Sequence, residues 1–359
     1  MLTYSLKRLL YGLLVLLGVV VLVFFLFNVL PGDPARMMLG QQADEESIAI
    51  INRDLGRDKP LAVQFLSYLN DLSPLSFHNN SDVSHHFYLD PEKYGPVLHL
   101  FSCGHTIVVF KWPYLRRSYQ SRRPVSDIIS SAFPQTAVLA LTAMAFALLA
   151  GIVLGVLSAV YRDTWIDRLS LLLSTLGMSL PSFFAAILIA WLFAYLLADW
   201  THLNMFGNLY AVDDYGTGRH LALKNLILPA FTLGIRPLAT LSQLTKNSLL
   251  DALSQDYVRT ARAKGLSYRL VVVHHALRNA LNPVITSASG WLASLLAGAV
   301  FVEYVFDWKG MGVVIVDGLE KYDFPVVMGT ILFICVLLVL INIITDILYA
   351  WLDPRVRLQ

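Results

Sequence analysis

The chain has 359 residues, 56% hydrophobic and 14% charged, with a net charge of only +2. Soluble domains carry about 25% charged residues, so this deficit, with a mean hydropathy of +0.60, excludes an ordinary soluble domain and points to a membrane protein. The small net charge gives no bulk attraction to nucleic acid, and two cysteines, Cys103 and Cys335, define no disulfide framework.

Six apolar runs predict six membrane-spanning helices, at about 9–30, 132–160, 168–198, 226–248, 284–306 and 325–351. The first is about 22 residues, or about 33 Å of helix, enough for a hydrocarbon core of about 30 Å. A signal peptide would have an apolar core of only about 7–15 residues and a small-residue cleavage site. This run is longer and ends in "VLPGDP", so it reads as a retained helix. Between spans one and two lies a long loop, about 31 to 125, too rich in aromatics for a solvated linker. Within it "LAVQFLSYL" reads as a helix, and "PVLHLF" and "TIVVFKW" read as strands of a hairpin turned at "SCGH". The expected fold is therefore an all-α polytopic membrane protein with a small α+β insertion. Its two parts would be residues 1–123, holding the first span and the subdomain, and a five-helix core over 124–359.

Basic residues set the orientation. Arg162 and Arg168 bound the 2–3 loop, Lys246, Arg259, Arg262, Lys264, Arg269 and Arg278 fill the 4–5 loop, and Arg355 and Arg357 close the tail. The 3–4 loop carries Asp213 and Asp214, and the 5–6 loop carries Asp307, Asp317, Glu320 and Asp323. The positive-inside rule places both termini and loops 2–3 and 4–5 in the cytoplasm. Arg116, Arg117, Arg122 and Arg123 fall on the opposite side, in the long loop, and read as an interfacial segment against headgroups. Long loops cross largely regardless of charge.

The 4–5 loop, about 246–283, contains "DYVRTARAKGLSYRLVVVHHALRNALNP". Asp256 favours a helix start, and Gly265 can end that helix in a left-handed cap. Leu270, Val273, Leu277 and Leu281 then recur on one helical face. A solvated cytoplasmic loop, a membrane-tethered DNA-binding motif and a docking element all fit basic helices. Ala261, Ala263 and Gly265 leave a bare surface that an electrostatic anchor would not need, which favours docking.

This stretch resembles the permease signature of ABC importers, and most closely that of the oligopeptide, dipeptide and nickel permeases. "LPGDP", "LGRDKPLAVQFLSYL", "RRPVSDIISSAFPQTAVLAL", "GMSLPSFF", "FVEYVFDWKGMG", "DFPVVMGT" and "DILYAWLDPRVRL" carry the resemblance across nearly the whole chain, in order. Three departures stand out: Arg259 sits where the general signature has an acid, the 1–2 loop is longer and lacks a "GDLG"-like element, and Arg236 lies within a span.

The resemblance implies a six-helix permease of the type I importer fold in a bacterial inner membrane. It would form half of a pathway with a second, homologous permease. Two cytoplasmic ATPases would bind ATP and Mg, and an extracytoplasmic binding protein would deliver peptide or, alternatively, nickel or another small solute. Tyr257, Arg259, Thr260, Ala261, Arg262, Ala263, Lys264, Gly265 and Leu266 would form the ATPase dock.

The chain has no G-x-x-x-x-G-K-[ST] loop, no H-E-x-x-H and no G-x-S-x-G. It is therefore expected to be non-catalytic and to hold no cofactor of its own. An intramembrane hydrolase lacks paired aspartates, and a channel or receptor leaves the docking loop without a purpose. Arg236, about 10 residues into the fourth span, costs at least about 2.5–3.5 kcal/mol in mid-bilayer unless it faces a cavity or partner. It reads as a pathway charge or a structural pair. Glu303, near the outer end of span five, reads as a pathway contact or an interfacial acid. His78, His85, His86, His99, His105 and Cys103 share the long loop, but their spacing fits no recognised metal site.

Overall fold

The computed structural model describes residues 2–29, 44–45, 48–49, 52, 57–80, 87–212 and 218–352. The tail arginines, Asp213, Asp214, His85, His86 and the whole "LPGDP" segment lie outside them. The described chain is mostly helical. Its helices include α1 (Leu2–Val29), α2 (Leu61–Leu72), α3 (Pro91–Tyr94), α4 (Val125–Val160), α5 (Trp165–Ser179), α6 (Ser182–Trp191), α7 (Lys224–Leu253), α8 (Asp256–Ala263), α9 (Leu277–Gly298), α10 (Val300–Val305), α11 (Met311–Glu320) and α12 (Phe324–Leu352). Among the described residues, parts of α1 and α12 and all of α4 are long and apolar enough to cross a membrane, and the bent pair α5–α6 adds a fourth if it counts as one span. With 30 and 22 residues, α7 and α9 are long enough but more polar.

The third apolar run is not one straight helix. It breaks at Leu180–Pro181 and turns through 114° between α5 and α6. Proline lacks a backbone N–H and pushes the residue before it out of the helical region, and Leu180 is extended, with ψ 132°. The fifth run is likewise divided into α9 and α10 at Ala299.

Two compact units emerge. One comprises residues 1–15, 132–316 and 334–359, and the other 16–131 and 317–333. These units differ from the division at residue 123 expected from the sequence: their boundaries fall within helices, and 317–333 groups with 16–131. The reason is Asp323. It is 5% exposed and accepts hydrogen bonds from Ser118 Oγ (2.5 Å) and from the backbone N–H of Tyr119 (2.9 Å).

In the first unit α7 is the central helix, and glycines bring its neighbours against its backbone. A Cβ on Gly155 of α4 would lie 2.5 Å from the Ser242 carbonyl, and one on Gly177 of α5 would lie 2.7 Å from Ile235. Such contacts let helices associate in lipid, where burial of apolar surface supplies no drive.

In the second unit strands β1 (Leu75–Asn79), β2 (Leu98–Cys103) and β3 (Thr106–Phe110) form an antiparallel sheet ordered β1-β3-β2. Strand β1 was not read from the sequence. Its partner-facing side chains are Ser76 and His78, which hide the apolar alternation expected of a half-buried strand.

Candidate functional site

The 4–5 loop folds as two layers. In α8 only Val258 (0% exposed) and Ala261 (6%) turn inward, joining Ala159, Leu249, Ala252, Val271, Val272, Ala276 and Ala280 in one apolar cluster. Tyr257, Arg259, Thr260, Arg262, Ala263, Lys264 and Gly265 face outward, and Leu266 is half-buried. Ala261 therefore does not share the bare surface with Ala263 and Gly265, as its spacing had suggested. The helix ends as expected: Gly265 has φ +79°, its N–H donates to the Arg262 carbonyl at 2.9 Å, and a Cβ there would meet nothing within 4 Å.

Arg259 pairs with Asp256 at 3.3 Å, but both side chains are exposed, so the pair contributes little stability. Arg262 lies over the Tyr268 ring at 5.3 Å. The following face is also corrected. Val271, Val272, Ala276 and Ala280 are buried, whereas Leu270 and Val273 are exposed. Residues 271–276 form a π-helical turn, and its extra residue rotates the inward face away from the expected 3.6-residue spacing.

Just above this cluster sits a feature that was missed from the sequence. Lys246 Nζ of α7 donates to Asp167 Oδ1 of α5 at 2.5 Å, in a pair whose aspartate is 7% exposed. Ser158 of α4 also donates to Asp167, and the Asp163 N–H donates at 3.1 Å. A single carboxylate thus fastens three helices at the level of the loop. Lys246 counted only as one loop cation, and Asp167 could have been suspected from an acid among the arginines of the 2–3 loop.

Glu303 lies in α10. It is 0% exposed, so it faces the protein interior. Thr136 Oγ1 donates to Oε1 at 2.6 Å and the Gly312 N–H to Oε2 at 2.6 Å. Trp308, fully buried, donates its indole N–H to the Gln135 carbonyl at 3.0 Å. A Cβ on Gly310 would lie 2.4 Å from Glu303 Oε1, and one on Gly312 would lie 2.4 Å from Val300 Cα. The "FVEYVFDWKGMG" motif is thus a loop wrapped around one carboxylate.

Arg236 has the opposite surroundings. Its side chain is exposed on α7, beside buried Gly234 and Pro237. It lines a cavity of about 480 Å³, with Phe146 of α4, Ser174 of α5, Leu188 of α6 and Phe231 of α7.

In the second unit the buried Asp71 carboxylate accepts from Lys93 Nζ (2.9 Å), Tyr94 Oη (2.8 Å) and Arg116 Nε (3.3 Å). Arg116 therefore has a partner inside the subdomain, not a headgroup. Lys111 Nζ donates to the Asp71 carbonyl at 2.6 Å, and burial lowers its pKa to about 8. Burial, with Lys111 nearby, lowers that of His78 to about 4.

An apolar membrane chain with an outward-facing cationic helix on its polar side matches one family model, "Binding-protein-dependent transport system inner membrane component", over residues 151–358, and that family's N-terminal model over residues 1–83. The chain belongs to this family of transport permeases. It is 36% identical over 357 residues, 99% of each chain, to the glutathione transport system permease protein GsiC of Salmonella paratyphi A (strain ATCC 9150 / SARB42). GsiC of Escherichia coli (strain K12) matches at the same identity and coverage. The solved inward-facing MetNI methionine ABC transporter aligns with 64% of this chain and 97% of its own at 16% identity and a TM-score of 0.49. By its family match and its 36% identical relatives, the chain is a membrane-embedded permease subunit of an ABC transport system, and membership of the family implies ATPase and binding-protein partners.

Proposed function

We propose that this permease forms half of an import pathway for peptides, with six spans, both termini cytoplasmic, and a second homologous permease completing the route across the bilayer. Two cytoplasmic ATPases bind ATP and Mg, and an extracytoplasmic binding protein delivers the cargo. The observation that carries the reading is the two-layered loop. Val258 and Ala261 anchor α8 to the helix ends, while Arg259, Arg262, Ala263, Lys264 and Gly265 present a cationic, small-residue rim. Such a rim suits close approach to an acidic cleft on a folded partner.

Force on that rim reaches the membrane through the cluster of Leu249, Ala252 and Ala159 and through the Asp167–Lys246 pair. Glutathione, the cargo in the relatives' name, is a small peptide, and this supports peptide over other cargo. The test is uptake of labelled peptides into vesicles holding the complete transporter. Uptake should require ATP inside the reaction and the binding protein outside. Peptide uptake by this subunit without an ATPase would overturn the reading in favour of a channel.

A further inference from the structure

The cavity at Arg236 carries an inference about what passes through the permease. Arg236 is the thirteenth residue of the 30-residue α7, so about 18 Å of helix precede it and about 26 Å follow. With the six spans proposed above, that puts the guanidinium near mid-bilayer, where an unpaired charge is expensive. Among the described residues it has no ion pair and no side-chain hydrogen bond, and no Asp or Glu lines its cavity. The remaining lining is apolar apart from the hydroxyls of Ser170, Ser174, Ser182 and Thr232.

The cavity wall also contains the sharp bend between α5 and α6: Leu180 and Ser182, on either side of the 114° turn, both line it. Irregular backbone at membrane depth persists where it is buried in protein or faces a cavity. At about 480 Å³ the space is of the size that holds small ligands, and a largely apolar wall with one charge is the usual composition of such sites.

We propose that this cavity receives the cargo as an anion with an apolar body, its carboxylate pairing with Arg236 and its side chains lying against Phe146, Leu188 and Phe231. The proposal rests on the peptide-import reading and narrows it: peptides with a free C-terminus and apolar side chains are favoured. A bare divalent cation is repelled by the lone guanidinium. The planar fork of arginine grips both carboxylate oxygens, which a lysine ammonium does not.

The experiment compares ATP-dependent uptake of an apolar tripeptide with uptake of its C-terminal amide. It uses the complete transporter in vesicles, with saturating binding protein, for wild type, Arg236→Ala and Arg236→Lys. Binding-protein preference is common to all three, so only the change in the ratio reports on Arg236. The free acid should lose about tenfold relative to the amide in Arg236→Ala, as expected for a lost charge-assisted contact, and Arg236→Lys should lie between. An unchanged ratio in Arg236→Ala overturns the proposal. So does a loss of assembled complex on gels that affects both peptides equally, which would make Arg236 a structural pair with the partner permease. If Arg236→Ala cannot be purified, Ala239→Phe, which fills the same cavity, should reduce uptake of bulky peptides before small ones, and equal uptake of both sizes would count against it. Wild type that takes up neither peptide refutes the peptide-import reading itself.

Discussion

In residues 256–266 the apolar side chains Val258 and Ala261 turn inward and the cations turn out; in residues 301–312 the acid Glu303 turns inward, while Phe301 and Tyr304 are 58% and 50% exposed. The first arrangement suits water and the second suits lipid. The difference shows where each segment works. A charge that water can reach is left for a partner, as on α8. A charge that lipid would surround is closed off by Thr136, the Gly312 N–H and two glycines that bring backbone against it. Arg236 fits neither pattern, being exposed on α7, a 30-residue helix of otherwise largely apolar surroundings, and that is why it points to a cavity occupant.

Breaking the closed segment should cost the most. Glu303→Ala strands the hydroxyl of Thr136 and the Gly312 N–H without their acceptor, and the loss should be on the order of 3–5 kcal/mol, as for removing one partner of a buried charged network. Detergent-solubilised protein should show a large fall in melting temperature. A variant melting like wild type would mean that the loop does not depend on its carboxylate. Gly310→Ala, which drives a methyl into the same carboxylate, should fail comparably.

The Asp167–Lys246 pair tests the link between the two kinds of segment. Asp167→Asn leaves the half-buried Lys246 beside a neutral amide and should destabilise by about 1–2 kcal/mol, with peptide-stimulated ATP hydrolysis falling as well. The exchanged pair Asp167→Lys with Lys246→Asp should recover most of the coupling. No recovery would show that position, not charge pairing, is what matters there.

The smallest of these effects on stability lies in the subdomain. His78 has its pKa lowered from 6.5 to about 4 by burial and Lys111. The folded state therefore binds fewer protons than the unfolded state between these values, so stability is present above about pH 6.5 and is lost as pH falls toward 4. Lowering pH from 7.5 to 5.5 should cost the subdomain on the order of 1 kcal/mol, measurable by hydrogen exchange in residues 75–110, and His78→Gln should flatten that dependence. A pH response unchanged in His78→Gln would place the titrating group elsewhere.

How much of this was legible in the sequence depended on whether a local signal or a distant partner decided the outcome. The Gly265 cap, the helix at 61–72 and the hairpin over 98–110 each follow from local chemistry, and the structure has them. The face of residues 270–281 was misread because a π-helical turn adds a residue that hydrophobic periodicity does not register. Glu303 looked like an interfacial acid because its donors lie about 170 positions earlier, at Thr136, and in a glycine loop whose closure depends on absent side chains. Asp167 and Lys246 sit 79 positions apart, so their pairing was beyond any window. For Arg236 the sequence supplied the cost of the charge, and the structure added the cavity beside it.

The central claim is that the outward rim of α8 is where the ATPase seats. Ala263 tests it most directly, because this side chain is exposed and its replacement should leave the fold nearly unaffected. In the complete transporter, Ala263→Trp should lower peptide-stimulated ATP hydrolysis at least about tenfold, the scale on which a bulky group obstructs a close-packed interface, while the permease subunit melts within a degree or so of wild type. Ala261→Trp, placed inside the cluster, should instead lower the melting temperature. Stimulated hydrolysis at the wild-type level in Ala263→Trp would contradict the account.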